Sequence, residues 1–454
     1  MNSTVSADPW RNAPATGYHQ DLWTLSSRVY AWAYLFEGPS IIQAGFDRSK
    51  GKSFEVLAPD NRYVFVTTQA QIKELDSAPD TMLQPVYTMH GFNWFDRRGT
   101  EGVGFIRALR TLLVNNLPDI LPSLSPMIRA RFEQLHLDHT QVDGMRQSPV
   151  YPMVVNIVVL INAVSFFGGS IVPSLVGGVL AYRLKSHAVV YETLLAIAEE
   201  RCQERDQRAL GQKTPKHADC IQWIMDTSPQ KKPWTAKRVV HEVMAIWFGS
   251  VHALSTTITF AIHDICLYPE YVAPLREELK NDYDAFERTG KGLGLLDSFI
   301  KESARLTPVE SMSTRRSALQ PFKFTDGTKL AIGDWACTPV RAIMTDATNY
   351  PAPLDFKGFR FADQESLDRL HGNFTSPQPK PSKLTDVDNT WHVWGTGRMA
   401  CPGRFYASAV MKAILGQIIM HYDCELAQPD ADRWFTWRST MLPKHDTMVI
   451  FTPR

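Results

Sequence analysis

One segment constrains this chain more than any other: Trp394-Gly395-Thr396-Gly397-Arg398-Met399-Ala400-Cys401-Pro402-Gly403-Arg404-Phe405. It is a glycine-rich loop that delivers a cysteine to the head of a helix. Pro402 suits the first helical position, where its missing N–H costs nothing. The helix after it is strongly apolar: Ala407, Val410, Met411, Ile414, Leu415, Ile418 and Ile419 recur at three-one spacing. The free N–H groups and positive end of that helix point at the sulfur and are expected to favour the thiolate. Gly397 and Gly403 remove side chains where a flat group would lie against backbone.

A thiolate offered this way suits haem iron as a single axial ligand. A plain buried cysteine, with glycines that serve only turns, is the other reading the residues leave open. Six cysteines are spread over 454 residues, and none forms a Cys-x-x-Cys pair. That argues against a zinc ribbon, a thioredoxin-like site or a disulfide scaffold. Lys plus Arg is 48 and Asp plus Glu is 47, so no global basic field exists to bind nucleic acid. Hydrophobic residues make up 44% and charged residues 21%, the balance of a globular chain.

Met1 to Tyr18 is polar, with no apolar leader core. The most apolar internal run, Val150 to Phe167, carries Pro152, Asn156, Asn162 and Ser165, and reads as a buried core helix. Ser53–Pro59 and Arg62–Thr68 alternate around Asp60-Asn61 and predict a hairpin. A short helix follows from Gln69, with Ile72 and Leu75 on one face. Met82 to Gly104 reads as a long loop near a site. Helices are predicted over 106–116, 126–137, 150–167, 175–204, 237–268, 270–280 and 295–306. In the long 237–268 helix, Val243, Ile246, Trp247, Val251, Leu254 and Ile258 make one apolar face. A β-like region covers Ser313 to Pro339, and 350–381 is irregular. The fold class is therefore mainly α (α+β), with one small β-rich part.

The cysteine loop resembles the haem-binding loop of the cytochrome P450 superfamily, Phe-x-x-Gly-x-Arg/His-x-Cys-x-Gly. The resemblance implies a helix-rich P450 catalytic domain over 19–454, preceded by a polar segment over 1–18. It implies haem b as cofactor and Cys401 as the iron ligand. Trp394 stands at the aromatic position, and Gly397 and Gly403 stand at the two glycines. The family's propionate-contacting Arg or His is replaced by Met399, with Arg398 beside it. Lys301-Glu302-Ser303-Ala304-Arg305 resembles the family's Glu-x-x-Arg helix, where the pair joins an arginine from a Phe/Pro-rich segment. Arg360 stands there, which implies a buried structural network. Arg316, Arg110 and Arg107 resemble further propionate contacts.

The run Phe248 to Thr257 resembles the family's oxygen-binding helix. Gly249 and Ser250 supply space, His252 falls at the acidic position, and Ala253 replaces the usual hydroxyl-bearing threonine. Delivering protons to oxygen is a general-acid task that Ala253 cannot share. Thr256 and Thr257 lie one turn along, and Ser250, His252 and Thr256 are the expected catalytic residues.

The resemblance, closest to fungal members, implies a haem-thiolate monooxygenase of secondary metabolism. The expected substrate is an apolar terpenoid, polyketide or indole-type metabolite, and the expected partner an NADPH-dependent cytochrome P450 reductase. The pocket is expected between the 82–104 loop, the helix around 175–195, Ser250–Leu254 and Pro308–Ser313. A monomer is expected. The natural full-length protein is expected on the cytosolic face of the endoplasmic reticulum through an anchor missing here, with the present chain soluble. Ala253 keeps a second reading open, a haem-thiolate isomerase, dehydratase or cyclisation catalyst that does not use the normal oxygen-activation relay.

Overall fold

The computed structural model describes residues 25–85, 105–139, 141, 142, 145–167, 186–370, 374 and 380–454. They form two compact units. One comprises described residues up to Pro85 together with Glu310–Ile343 and Thr436–Thr440, and the other comprises the rest.

The first unit is built on a five-stranded sheet in the spatial order Phe54–Leu57, Arg62–Phe65, Trp335–Thr338, Ser313–Ala318, Leu83–Pro85. The expected hairpin forms, with Phe54 opposite Phe65 and Leu57 opposite Arg62. Alternation then sorts the side chains. Tyr63, Phe65 and Cys337 join Tyr34, Ile42 and Met312 on one face. Val64, Val66 and Ala336 join Ile72, Leu75 and Phe324 on the other. Helix α1 (Leu25–Ser49), which the sequence reading did not anticipate, lies against the first strand. Helix α2 (Gln69–Ser77) starts at a capping box of Thr68 and Gln71 and buries Ile72 and Leu75.

The second unit is helical. It contains α3 (Leu117–Leu137), α4 (Val150–Phe167), α5 (Ser186–Ala209), α6 (Cys220–Asp226), α7 (Ala236–Leu267), α8 (Val272–Thr289), α9 (Gly294–Leu306) and α10 (Arg404–His421). Helix α7 packs against α4, α5, α6, α9 and α10. Helices α4 and α7 are long and apolar enough to cross a membrane, but about two thirds of each apolar stretch is buried in this unit. Helix α3 begins earlier than predicted: Pro118 opens it, and Leu117, Leu121 and Leu124 extend its buried face. Helix α8 runs on to Gly290, whose φ of 67° ends it. A second sheet, Tyr422–Leu426, Met448–Pro453, Met145–Pro149, Gln141–Val142, was not anticipated. Its central pairing, Ile450 with Gln147, joins segments far apart in sequence.

Helix α9 is held at its start by a carboxylate from α8. The backbone N–H groups of Leu295 and Leu296 donate to Glu278 at 2.7 and 2.9 Å. Burial raises the Glu278 carboxyl from 4.5 to about 7, against the pull of those two N–H groups and of Lys412. A carboxyl raised in the fold gives stability that is whole below about pH 4.5 and is lost as pH rises toward about 7. Glu278→Gln should therefore match wild type in thermal unfolding at the acid end and exceed it above neutrality. Parallel curves across that range would remove this group from the pH dependence.

Candidate functional site

The cysteine loop is a closed turn. Gly395 and Gly397 take positive φ values of 80° and 49°, the region that favours glycine. The Cys401 N–H donates back to the Trp394 carbonyl at 2.7 Å. Helix α10 begins at Arg404, so Pro402 and Gly403 belong to the turn before it, and Pro402 is not the first helical residue. The backbone N–H groups of Gly403 and Arg404, and the Arg404 and Arg110 guanidiniums, pull the thiol pKa down. Burial nevertheless outweighs them and raises the metal-free thiol. The helix start alone therefore does not make the thiolate, contrary to the sequence expectation.

Helix α9 supplies the frame. Residues 295–305 are all buried, polar ones included. Glu302 receives Arg305 Nε at 2.7 Å and Arg360 Nε at 2.9 Å, with every one of these side chains fully buried. Arg305 also donates to the Met344 and Pro353 carbonyls, and Arg360 to the Pro351 and Asp355 carbonyls. The Lys357 N–H closes on Glu302 at 2.9 Å. The implied network of Glu302, Arg305 and Arg360 is thus assembled, and it shapes an irregular stretch through its carbonyls.

The sequence reading missed the next layer. Asp297 accepts the Leu384 N–H at 2.6 Å and pairs with Lys412 of α10 at 2.5 Å. Lys301 donates to Ser382 Oγ and to the Lys383 carbonyl, both at 2.9 Å. The Leu384 carbonyl accepts the indole N–H of both Trp391 and Trp394, and the Thr385 carbonyl accepts Arg404 Nε. The available signal was the spacing Asp297, Lys301, Arg305, a charged stripe along one face of α9. Such a stripe ordinarily means a solvated face, and only burial distinguishes the two.

Helix α7 carries an opening. Gly249, His252 and Ala253 are exposed in the middle of a helix whose neighbours Val251, Leu254, Ser255 and Thr256 are buried. A Cβ on Gly249 would meet nothing within 4 Å among the described residues. Desolvation pulls the His252 pKa down, so the ring is neutral at neutral pH. Ser250 accepts from Asn162 at 3.0 Å and donates to the Trp247 carbonyl at 2.8 Å; Asn162 in turn accepts from Tyr406 of α10 at 2.9 Å. Thr256, expected in the proton path, is fully buried beside the Tyr151 phenol. Thr257 instead is half-buried, and its hydroxyl donates to the Ala253 carbonyl at 3.0 Å. Of the two threonines one turn along, the one whose hydroxyl adjoins the open stripe is Thr257.

The arginines differ. Arg107 and Arg110 are exposed where the chain passes into a π-helical turn, Ala108–Leu113. Leu109 on that turn comes within 3.8 Å of a Cβ placed on Gly403, so this segment borders the cysteine loop. Arg398 is exposed on the turn, and Met399 beside it is half-buried. Arg316 is fully buried and donates to the Leu75, Ala78 and Leu83 carbonyls and to Asp80. Its contacts cap the end of α2, which corrects the propionate role expected of it. Of the expected pocket lining, residues 86–104 and 168–185 lie outside the described residues.

The donor set fits a haem. A closed turn presents one cysteine sulfur ahead of a helix, glycines stand beside the sulfur and on the open stripe, and cationic side chains border the loop. Cys401 would hold the iron through its sulfur.

Comparison with known proteins agrees. The cytochrome P450 family model matches residues 171–451. The cytochrome P450 monooxygenase ptmQ of Penicillium ochrochloron is 24% identical, over 98% of this chain and 92% of its own. Ent-kaurene oxidase of Gibberella intermedia is 25% identical, over 97% and 87%. The retinoic acid-bound cyanobacterial CYP120A1 superposes with a TM-score of 0.66 at 17% identity, covering 93% of this chain and 97% of that one. With more than half of its length matched by the family model and fungal monooxygenases aligned along nearly all of it, this chain belongs to the cytochrome P450 family, as an oxidoreductase of the fungal secondary-metabolism type.

Proposed function

We propose that the protein oxidises an apolar small molecule of terpenoid, polyketide or indole type, at the open stripe of α7. The relatives named ent-kaurene oxidase favour a terpenoid among these. The observation that carries the reading is Cys401 on a closed glycine turn, tied back to the Trp394 carbonyl and standing just ahead of α10. When bound, the haem supplies dioxygen activation, with electrons from NADPH through a reductase.

The residues of the chain do the rest. Gly249 and Ala253 leave room beside the helix. Asn162 and the Trp247 carbonyl hold the Ser250 hydroxyl, so Ser250 positions the helix and is not a free proton carrier. Neutral His252 can take and return a proton at its ring nitrogens. The Thr257 hydroxyl, beside the Ala253 carbonyl, can hold a water or a substrate hydroxyl. Exposed Arg107 and Arg110 would hold the cofactor's carboxylates. The chain acts as a single P450 catalytic unit and monomer, and the natural protein works at the cytosolic face of the endoplasmic reticulum.

The test is a Soret-shift titration of the haem-loaded protein against a panel of terpenoids, polyketides and indoles, followed by turnover with reductase. A low- to high-spin shift with one class, and product dependent on NADPH and dioxygen, is the expected result. His252→Ala should lower the product formed per NADPH consumed. Full coupling in that variant removes His252 from the path. Product formed without NADPH or dioxygen would overturn the oxygenase reading in favour of an isomerase or dehydratase.

A further inference from the structure

A lysine with no exposed surface is costly, because its ammonium gives up water. Lys301 is such a residue. Its Nζ lies 4.6 Å from the Phe361 ring centroid and 4.8 Å from that of Trp391. Its hydrogen bonds go to Ser382 Oγ and the Lys383 carbonyl. Desolvation lowers its pKa to about 8, against the opposing pull of Asp388, Asp386 and Asp297. The Glu302 network makes no use of it.

Three separate segments meet at this ammonium: the end of the aromatic-arginine stretch at Phe361, the Ser382–Lys383 turn, and Trp391 just before the cysteine loop. The turn has no helix or strand to fix it. It is nevertheless the platform of the loop: the Leu384 carbonyl holds the Trp391 and Trp394 indoles, and the Thr385 carbonyl holds Arg404 next to the sulfur. We propose that Lys301 is a positioning residue for the cysteine loop, clamping residues 382–385 so that Trp394 and Arg404 keep the Cys401 thiolate on the iron. This rests on Cys401 being the ligand.

Lys301→Met keeps most of the volume and removes the charge and both hydrogen bonds. The test uses the haem-loaded full chain. It follows the red-shifted Soret band of the ferrous carbon monoxide complex, which reports thiolate ligation, during mild warming. Thermal unfolding of the same samples is followed beside it. Losing charge-assisted hydrogen bonds should shorten the lifetime of the thiolate band by about tenfold. Unfolding should stay at or above the wild-type temperature, because a buried charge has been removed. Ser382→Ala, at a half-buried site, should shift the lifetime in the same direction by less, and the double variant should be no worse than Lys301→Met. A wild-type lifetime in Lys301→Met overturns the proposal, and so does a loss that merely parallels a lower unfolding temperature. If Lys301→Met does not fold, a wild-type lifetime in Ser382→Ala overturns it. Absence of the thiolate band in the wild-type protein would instead be a failure of Cys401 as ligand.

Discussion

Glu302→Gln is expected to yield little or no haem-loaded protein. The carboxylate sits between two guanidiniums, all with fully buried side chains. Glutamine offers one acceptor oxygen and turns an amide N–H toward a cation. Breaking a buried pair from one side costs about 3–5 kcal/mol, because the stranded charge remains. That is a large share of the stability of an ordinary domain. Arg305→Lys should act in the same direction, since a single ammonium cannot replace the two bonds to Glu302 and those to the Met344 and Pro353 carbonyls. The measurement is the yield of soluble protein with the thiolate-type Soret band, alongside thermal unfolding. Wild-type yield and unfolding temperature in Glu302→Gln would refute a structural role for the network.

Cys401→Ser is expected to separate fold from function. The side chain is half-buried in a turn, and its backbone contributes the bond to Trp394 whatever the side chain. The protein should therefore fold, with unfolding of the metal-free form within a few degrees of wild type. The thiolate-type band should be lost outright. Altering groups one layer out from a metal costs about 10–100-fold in affinity or activity, so removing the ligand itself should cost more. Turnover near wild type in this variant would mean that another group binds the iron.

Much of this was legible in the residues, and the gaps have physical causes. Gly397, Gly403 and Cys401 are readable because a loop that must turn tightly and offer a sulfur admits few alternatives. Glu302 and Arg305 are readable because three residues bring them together on a helix. Arg360 needed the resemblance, since its partner is 58 positions away. Arg316 looked available because sequence cannot tell a surface arginine from one that closes a helix end from inside. The pairing of Met448–Pro453 with Met145–Pro149 was missed because it joins strands about 300 positions apart. Lys301 and Asp297 were passed over because a charged stripe on a helix ordinarily faces water, and here it faces an irregular segment that needs donors and acceptors. Thr256 and Thr257 adjoin in sequence, and only the direction of the helix face distinguishes them.

The way α9 grips its surroundings also sets an order of events. Positions from Met344 to Leu384 are tied to that helix by side chains, across separations of 39 to 87 residues. Closing such long loops costs entropy before any bond repays it. The cysteine turn hangs from the last of these ties, so it can take shape only after the helix has docked. Acquisition of the cofactor is then among the final steps of maturation. Substitutions within residues 382–403 should act chiefly on how fast the finished site comes apart and little on how fast the chain first collapses.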